Sequence, residues 1–195
     1  MTKEKMKTKV FNSAWKIVEE EGISRLNVRT IAKLSECSLG SIYNCFENFE
    51  SLQLHINAAV LLDLFETLQK VVDKGIKGKK KLPEIFRELG TSYIEFAQQK
   101  QFLWKALFEH FPVEPLPEWY QKQAREGIYK IALQLAKQFK IPEEEMKSKV
   151  GFFWASIHGM AAILLNRKME MVSELFQQSS LNIYIDYCLE GLFPT

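Results

Sequence analysis

Apolar residues in this chain recur at helical spacing almost from end to end. Val10, Phe11, Ala14, Trp15 and Val18 stand three, four and seven apart, which predicts an amphipathic helix from about Lys3 to Glu21 with Gly22 as its left-handed cap. The same period returns from Asn48 to about Lys74 through Leu52, Ile56, Ala59, Leu62, Phe65, Leu68 and Val72. Two glycines and a lysine run, Lys74 to Lys81, end that helix; the run reads as a solvated connector, with a polyanion site as the alternative. Pro83 opens the next helix, to about Lys100, which buries Ile85, Phe86, Leu89, Tyr93 and Phe96. A short helix from Phe102 to about Phe111 carries Leu103, Trp104, Leu107 and Phe108. Pro112, Pro115 and Pro117 then break the ladder, and Trp119 and Tyr120 begin a helix that runs to about Phe139. The last two helices extend from about Pro142 to Lys168 and from about Val172 to Leu192. An all-α protein of about nine helices is expected.

Between the first and the long helix lies Asn27 to Phe46, which divides into two short helical patterns with a break at Glu36 to Ser38. In the first, Val28, Ile31, Ala32 and Leu34 share an apolar face and Asn27 is the N-cap. In the second, Ser38 is the cap, and Ile42 and Phe46 lie on the buried side at i, i+4. Leu39, Gly40, Ser41, Tyr43 and Asn44 are left to point outward. A short outward helix held by a second short helix is the geometry by which a helix-turn-helix presents side chains to a major groove. Spacing alone leaves open an ordinary helix pair of a bundle, with Ser and Asn merely solubilising its surface.

The residues narrow that choice. Gly22, Val28-Arg29-Thr30-Ile31-Ala32, Ser38-Leu39-Gly40-Ser41-Ile42-Tyr43, Phe46 and Glu50-Ser51-Leu52 make the run from Val10 to Leu52 resemble the N-terminal domain of the TetR family of bacterial transcriptional regulators. Phe153 to Gly159, with Trp154 and His158, looks like the W-x-x-x-H-G helix of some branches of that family. The resemblance implies a three-helix helix-turn-helix domain over residues 1–47 and an effector-binding and dimerisation bundle over 48–195. It implies a homodimer on a double-stranded, pseudo-palindromic operator, contacted through Arg29, Thr30, Ser38, Leu39, Gly40, Ser41, Tyr43 and Asn44. In such a set Gly40 admits the duplex backbone, Ser38, Ser41 and Tyr43 reach phosphate, Asn44 has the amide to read adenine, and Leu39 touches a thymine methyl. Two positions depart from the family pattern. Glu36 stands where glycine usually makes the turn, and Phe49 where a lysine usually meets phosphate.

Tyr93, Phe96, Trp104, Phe108, Phe111, Trp119 and Tyr129 are more rings than one bundle layer needs. They read either as packed core or as a concave site for a small hydrophobic or aromatic effector, and the resemblance favours the second. The stretch from Val150 to Leu165 is apolar nearly all round, so it is buried within the domain or by a partner, and Gly151, Ala155, Gly159 and Ala162 permit close approach. The resemblance makes the last two helices a four-helix interface between subunits, with Phe152, Ala155, Gly159, Ala162, Ile163, Ile183 and Tyr187 as its expected residues.

Composition sets the outer limits. With 195 residues, 47% of them hydrophobic, the chain has enough apolar side chain to bury a core and is not a disordered one. A formal net charge of +2 gives no basic stripe over the whole molecule; Lys3, Lys5, Lys7 and Lys9 form a basic arm that either follows phosphates or is simply solvated. Cys37, Cys45 and Cys188 form no C-x-x-C pair and, with no apolar leader and no uninterrupted apolar run near about 18 residues, point to a soluble cytoplasmic protein without a membrane partner. A redox-sensing role for Cys37 and Cys45 is the weaker alternative to plain structural thiols. No nucleophile, phosphate-loop or metalloprotease motif occurs, and His158 has no ligand-spaced neighbour, so neither an enzyme nor a metal or cofactor is expected. The chain is expected to be a ligand-responsive repressor; a helical ligand-binding or scaffold dimer that has lost its DNA contacts is the alternative.

Overall fold

The computed structural model describes residues 2–112, 115–166 and 180–194. Among them the secondary structure is nine α-helices and one 3-10 turn: α1 (Lys3–Glu21), the turn Ile23–Arg25, α2 (Val28–Leu34), α3 (Leu39–Cys45), α4 (Phe49–Lys77), α5 (Leu82–Gln99), α6 (Gln101–Phe108), α7 (Glu118–Phe139), α8 (Glu143–Leu165) and α9 (Ser180–Leu192). The expected ends of the last two helices, 167–168 and 172–179, lie outside the described residues, as do Val113 and Glu114.

The chain forms two compact units. One comprises Met1–Leu62 with Lys100–Ala124, the other Asp63–Gln99 with Arg125–Thr195. The first is therefore larger than the 1–47 segment expected to meet DNA, because it takes in the first half of α4, all of α6 and the start of α7. In this unit α1 packs against α2, α3, α6 and the 3-10 turn. Val10, Ala14, Ile17 and Val18 of α1 are buried with Ile31 of α2, Ile42 of α3, and Leu103, Trp104 and Leu107 of α6. Gly22 ends α1 with its N–H on the Val18 carbonyl. Its φ of 86° is positive as expected, but its ψ of 166° is extended rather than left-handed helical. A Cβ there would stand 3.3 Å from the ring of Phe102, so glycine serves both the turn and the close approach of α6. Leu34, expected on the buried face of α2, is exposed. Ser35 takes the inner position instead, fully buried, with its hydroxyl donating to the Ile31 carbonyl at 2.6 Å.

In the second unit α5 packs on α8 and α9. Ile85, Phe86, Tyr93 and Ile94 of α5 are buried, as are Phe153 and Ile157 of α8 and Ile185 of α9. α4 does not stop at the first glycine of the lysine run but continues to Lys77. Gly75 is needed there for space: a Cβ would lie 2.6 Å from Cγ1 of the fully buried Ile85. α6 ends at Phe108 rather than at Phe111, and Pro117 launches α7 through its carbonyl, which accepts the Tyr120 and Gln121 N–H groups.

The Gly75 contact yields a test. Gly75→Ala gains helix propensity of about 1 kcal/mol but forces Ile85 aside, for which about 1–3 kcal/mol is typical. Urea unfolding should show net destabilisation, relieved when Ile85→Val is added; a stabilised Gly75→Ala protein would contradict the packing described.

Candidate nucleic-acid interface and effector cavity

Seven residues are too few for a helix to persist alone, so α2 and α3 depend on their caps and buried sides. Asn27 Oδ1 accepts from the Thr30 N–H (2.9 Å) and the Thr30 hydroxyl (3.0 Å), while Asn27 Nδ2 donates to the Arg25 carbonyl at 3.0 Å. Ser38 Oγ accepts from the Ser41 N–H at 3.2 Å, and the two hydroxyls are 2.8 Å apart. Ile42 and Phe46 are buried. The opposite side of α3 consequently presents Leu39, Gly40, Tyr43 (51% exposed) and Asn44 to solvent, with Ser38 beside them. Arg29 is exposed on α2, whereas Thr30 and Ser41 are half-buried and already engaged with their caps. Among the eight expected contacts, these two have the least freedom.

Glu36 does adopt the positive φ, 47°, that its place in the turn demands. The Lys9 ammonium approaches its Oε2 to 2.7 Å, and the hydrogen bond and charge of Lys9 hold the carboxyl below its usual range. The turn is thereby tied to α1 by an exposed ion pair, and one lysine of the basic arm is committed to a carboxylate. Lys7 lies over the Phe46 ring, 5.4 Å from its centroid. Cys37 Sγ is 3.1 Å from the Ser35 hydroxyl. At the start of α4, Asn48 Oδ1 accepts the Ser51 N–H at 2.7 Å, with Glu47 and Glu50 close by in sequence, so that end is less hospitable to a phosphate than a lysine would make it.

The expected aromatic set does not form one pocket wall. Trp104, Phe108, Phe111 and Trp119 belong to the first unit, and Tyr93, Phe96 and Tyr129 to the second. Trp104 is 1% exposed and stacks on Phe108 at 5.0 Å, which makes it core. Phe111 is 86% exposed, because α6 has ended before it. Trp119 is part-exposed and stacks on His55 at 4.9 Å. Phe96 is buried in α5, and Tyr129 lies on the surface under the Lys147 ammonium. Only Tyr93 lines the apolar cavity of the second unit, which has a volume of about 50 Å³. Its walls are Leu68 of α4, Phe86, Leu89, Gly90 and Tyr93 of α5, Ile128 and Ile131 of α7, and Val150, Phe153, Trp154 and Ile157 of α8. Most of these are aliphatic residues that sequence periodicity assigns to core without distinguishing wall from filling. Gly90, in the middle of a helix, was the one available signal.

The Tyr93 hydroxyl and His158 Nδ1 are 2.8 Å apart. The His158 ring also tilts against Trp154 at 5.5 Å. Burial lowers the His158 pKa from 6.5, so the imidazole favours its neutral form.

Of the residues expected between subunits, Phe152 (59% exposed), Ala155 and Ile163 of α8 and Ile183 and Tyr187 (69%) of α9 are exposed; Gly159 and Ala162 are half-buried. A Cβ at Gly151 or Gly159 would meet nothing within 4 Å. The outer side of α8 is thus apolar and open to close approach. By length and composition α8 is apolar enough to cross a bilayer, alone in this among the described residues. Counting uninterrupted apolar runs misses it because Ser156 and His158 interrupt the sequence.

His158 supplies a pH test. The folded chain binds this proton less tightly than the unfolded chain, so stability is full above the unfolded pKa and declines as pH falls from about 6.5 toward the lowered folded value. In His158→Gln the urea midpoint should drop less between pH 7 and pH 5.5 than in the parent chain; equal drops would show that His158 does not carry that dependence.

Residues 86–181 match the family described as tetracyclin repressor-like, C-terminal domain. No curated protein matches the chain. Among solved structures, a protein of unknown function from Rhodococcus sp. RHA1 is 14% identical with a TM-score of 0.69, the match covering 96% of this chain and 93% of that one. FadR of Thermus thermophilus, a TetR family transcriptional repressor solved with lauroyl-CoA, is 18% identical with a TM-score of 0.61 over 95% of this chain and 92% of that one. The Bacillus subtilis transcriptional regulator FadR, solved with stearoyl-CoA, is 15% identical with a TM-score of 0.58 over 96% and 97%. At such identities the structures speak for the fold, and the family match speaks for descent. The chain belongs to the TetR family of regulators.

Proposed function

We propose that the protein is a ligand-responsive transcriptional repressor that binds a pseudo-palindromic operator as a homodimer and is released by a small hydrophobic or aromatic effector. The observation that carries this reading is α3. It is capped by Ser38 and anchored by Ile42 and Phe46, and it turns Leu39, Gly40, Tyr43 and Asn44 to solvent. That is a row of side chains suited to base edges and phosphates and unsuited to any packing role within the first unit.

Pairing through α8 and α9 is supported by their exposed Phe152, Ile163, Ile183 and Tyr187, an apolar surface that a second copy would cover. The effector class is supported by the cavity, whose lining residues among those described are all uncharged. The two FadR proteins take acyl-CoA ligands; a shared apolar-ligand habit is in keeping with this cavity. α4, whose residues belong to both units, is the covalent route between effector and reading helix. The ligand weakens DNA binding only by as much as it prefers the state that does not bind DNA, typically about 1–3 kcal/mol.

The alternative is a ligand-binding or scaffold dimer without DNA affinity. The Lys9–Glu36 pair, together with Phe49 in place of a lysine between Glu47 and Glu50, favours it.

Gel-shift titration with DNA from upstream of the protein's own gene separates the two. The repressor reading expects a salt-dependent, palindrome-preferring shift that Tyr43→Ala weakens by roughly tenfold, the loss of about 1–2 kcal/mol of contact. No shift at low ionic strength would eliminate it. Phe49→Lys should restore one phosphate contact per subunit and steepen the salt dependence of a dimer by about 1.8 log units per log unit of salt. An unchanged slope would place that position away from the duplex.

A further inference from the structure

α8 has two apolar sides with different partners. Phe153, Trp154 and Ile157 face the cavity, while Phe152 and Ile163 are exposed. The cavity is bounded on the α5 side by Gly90, where a Cβ would stand 3.0 Å from Phe153 Cζ, 3.4 Å from Ile157 Cδ1 and 3.5 Å from Ile185 Cδ1. Those three side chains belong to α8 and α9, the same helices whose outer surfaces are apolar and uncovered. The space is also small: at about 10–15 Å³ for each water, a cavity of about 50 Å³ holds roughly four waters. A larger ligand must move its walls, and a close-packed interior yields by shifting whole elements rather than by local compression.

We propose that occupancy of this cavity is coupled to subunit association: an uncharged hydrophobic ligand lodged between α5 and α8 wedges α8 and α9 away from α5 and weakens the pairing of two copies of this chain. The inference rests on the pairing through α8 and α9 proposed above and adds to it a direction of control. The buried part of the ligand is uncharged because, among the described residues, the cavity has no charged lining side chain to receive a charge. Coupling is reciprocal, so pairing must lower the affinity for the ligand by the same factor by which the ligand weakens pairing. Release from DNA then follows from loss of the second reading helix, without any change within the first unit.

Gly90→Ala acts as an internal wedge that needs no knowledge of the natural ligand. Sedimentation equilibrium of the full chain should show the dimer Kd rising about tenfold in Gly90→Ala, with circular dichroism and a cooperative melt reporting that it is folded. Phe153→Leu removes the atom that the new methyl meets, so the double variant should return to within about twofold of Phe153→Leu alone. A second arm uses the parent chain with indole as the probe. Indole should raise the dimer Kd of the parent and do so less in Gly90→Ala, whose cavity is already partly filled. A folded Gly90→Ala dimer with the parent's Kd, or a parent Kd unmoved by indole when the variant does not fold, overturns the coupling and leaves the pairing intact. A parent chain that is monomeric at every concentration removes both.

Discussion

The reading end of this protein depends on the fact that a seven-residue helix cannot hold its own shape in water. Nucleation of a helix fixes several dihedrals for one hydrogen bond, so α2 and α3 persist because their inner sides are buried and their first turns are capped. Ile31 and Ile42 supply the burial, and Asn27 and Ser38 the caps. α1 and α6 provide the apolar wall against which this is possible, with Trp104 as its largest fully buried side chain. Everything exposed on α3 is exposed because the other side is fixed. The interface therefore requires no ordering of its own helix on contact, and less of its binding energy is lost to conformational entropy.

The second unit solves a different problem with one helix. α8 is apolar around most of its circumference, which would be a liability for a surface helix. Toward α5 its rings and branched side chains form the core and the cavity; away from it Phe152 and Ile163 remain uncovered among the described residues. The Tyr93–His158 contact adds a polar pair beside this apolar core, and burial keeps the imidazole neutral. A helix that serves as wall on one side and contact surface on the other cannot be displaced on one side alone.

Much of the fold was legible from periodicity and punctuation. α1, α5, α7 and the start of α8 lie where the three-and-four spacing and the prolines put them, and Asn27 and Ser38 cap as their residue types suggested. Failures arose where a local rule met a tertiary contact. Gly75 looked like a terminator and proved to be a close-approach residue inside α4; Leu34 shared the period of Ile31 and yielded the inner position to Ser35. The reading face was legible because exposure on a short helix follows from which residues must be buried. The cavity was not. Its walls are ordinary aliphatic side chains, and the abundant rings that drew attention went mostly to core and surface, as Trp104 and Phe111 illustrate.

The first unit is assembled from two stretches of chain, with α6 and the start of α7 returning to complete what α1 to α4 begin. The recognition end is consequently not a cassette that can be cut after α3 and spliced onto another bundle. A fragment ending at residue 62 would lack Leu103, Trp104 and Leu107 and would leave the core side of α1 unsealed. Recombination within such a lineage must carry the returning segment along with the N-terminus, or find a recipient whose corresponding helix offers the same indole-shaped plug.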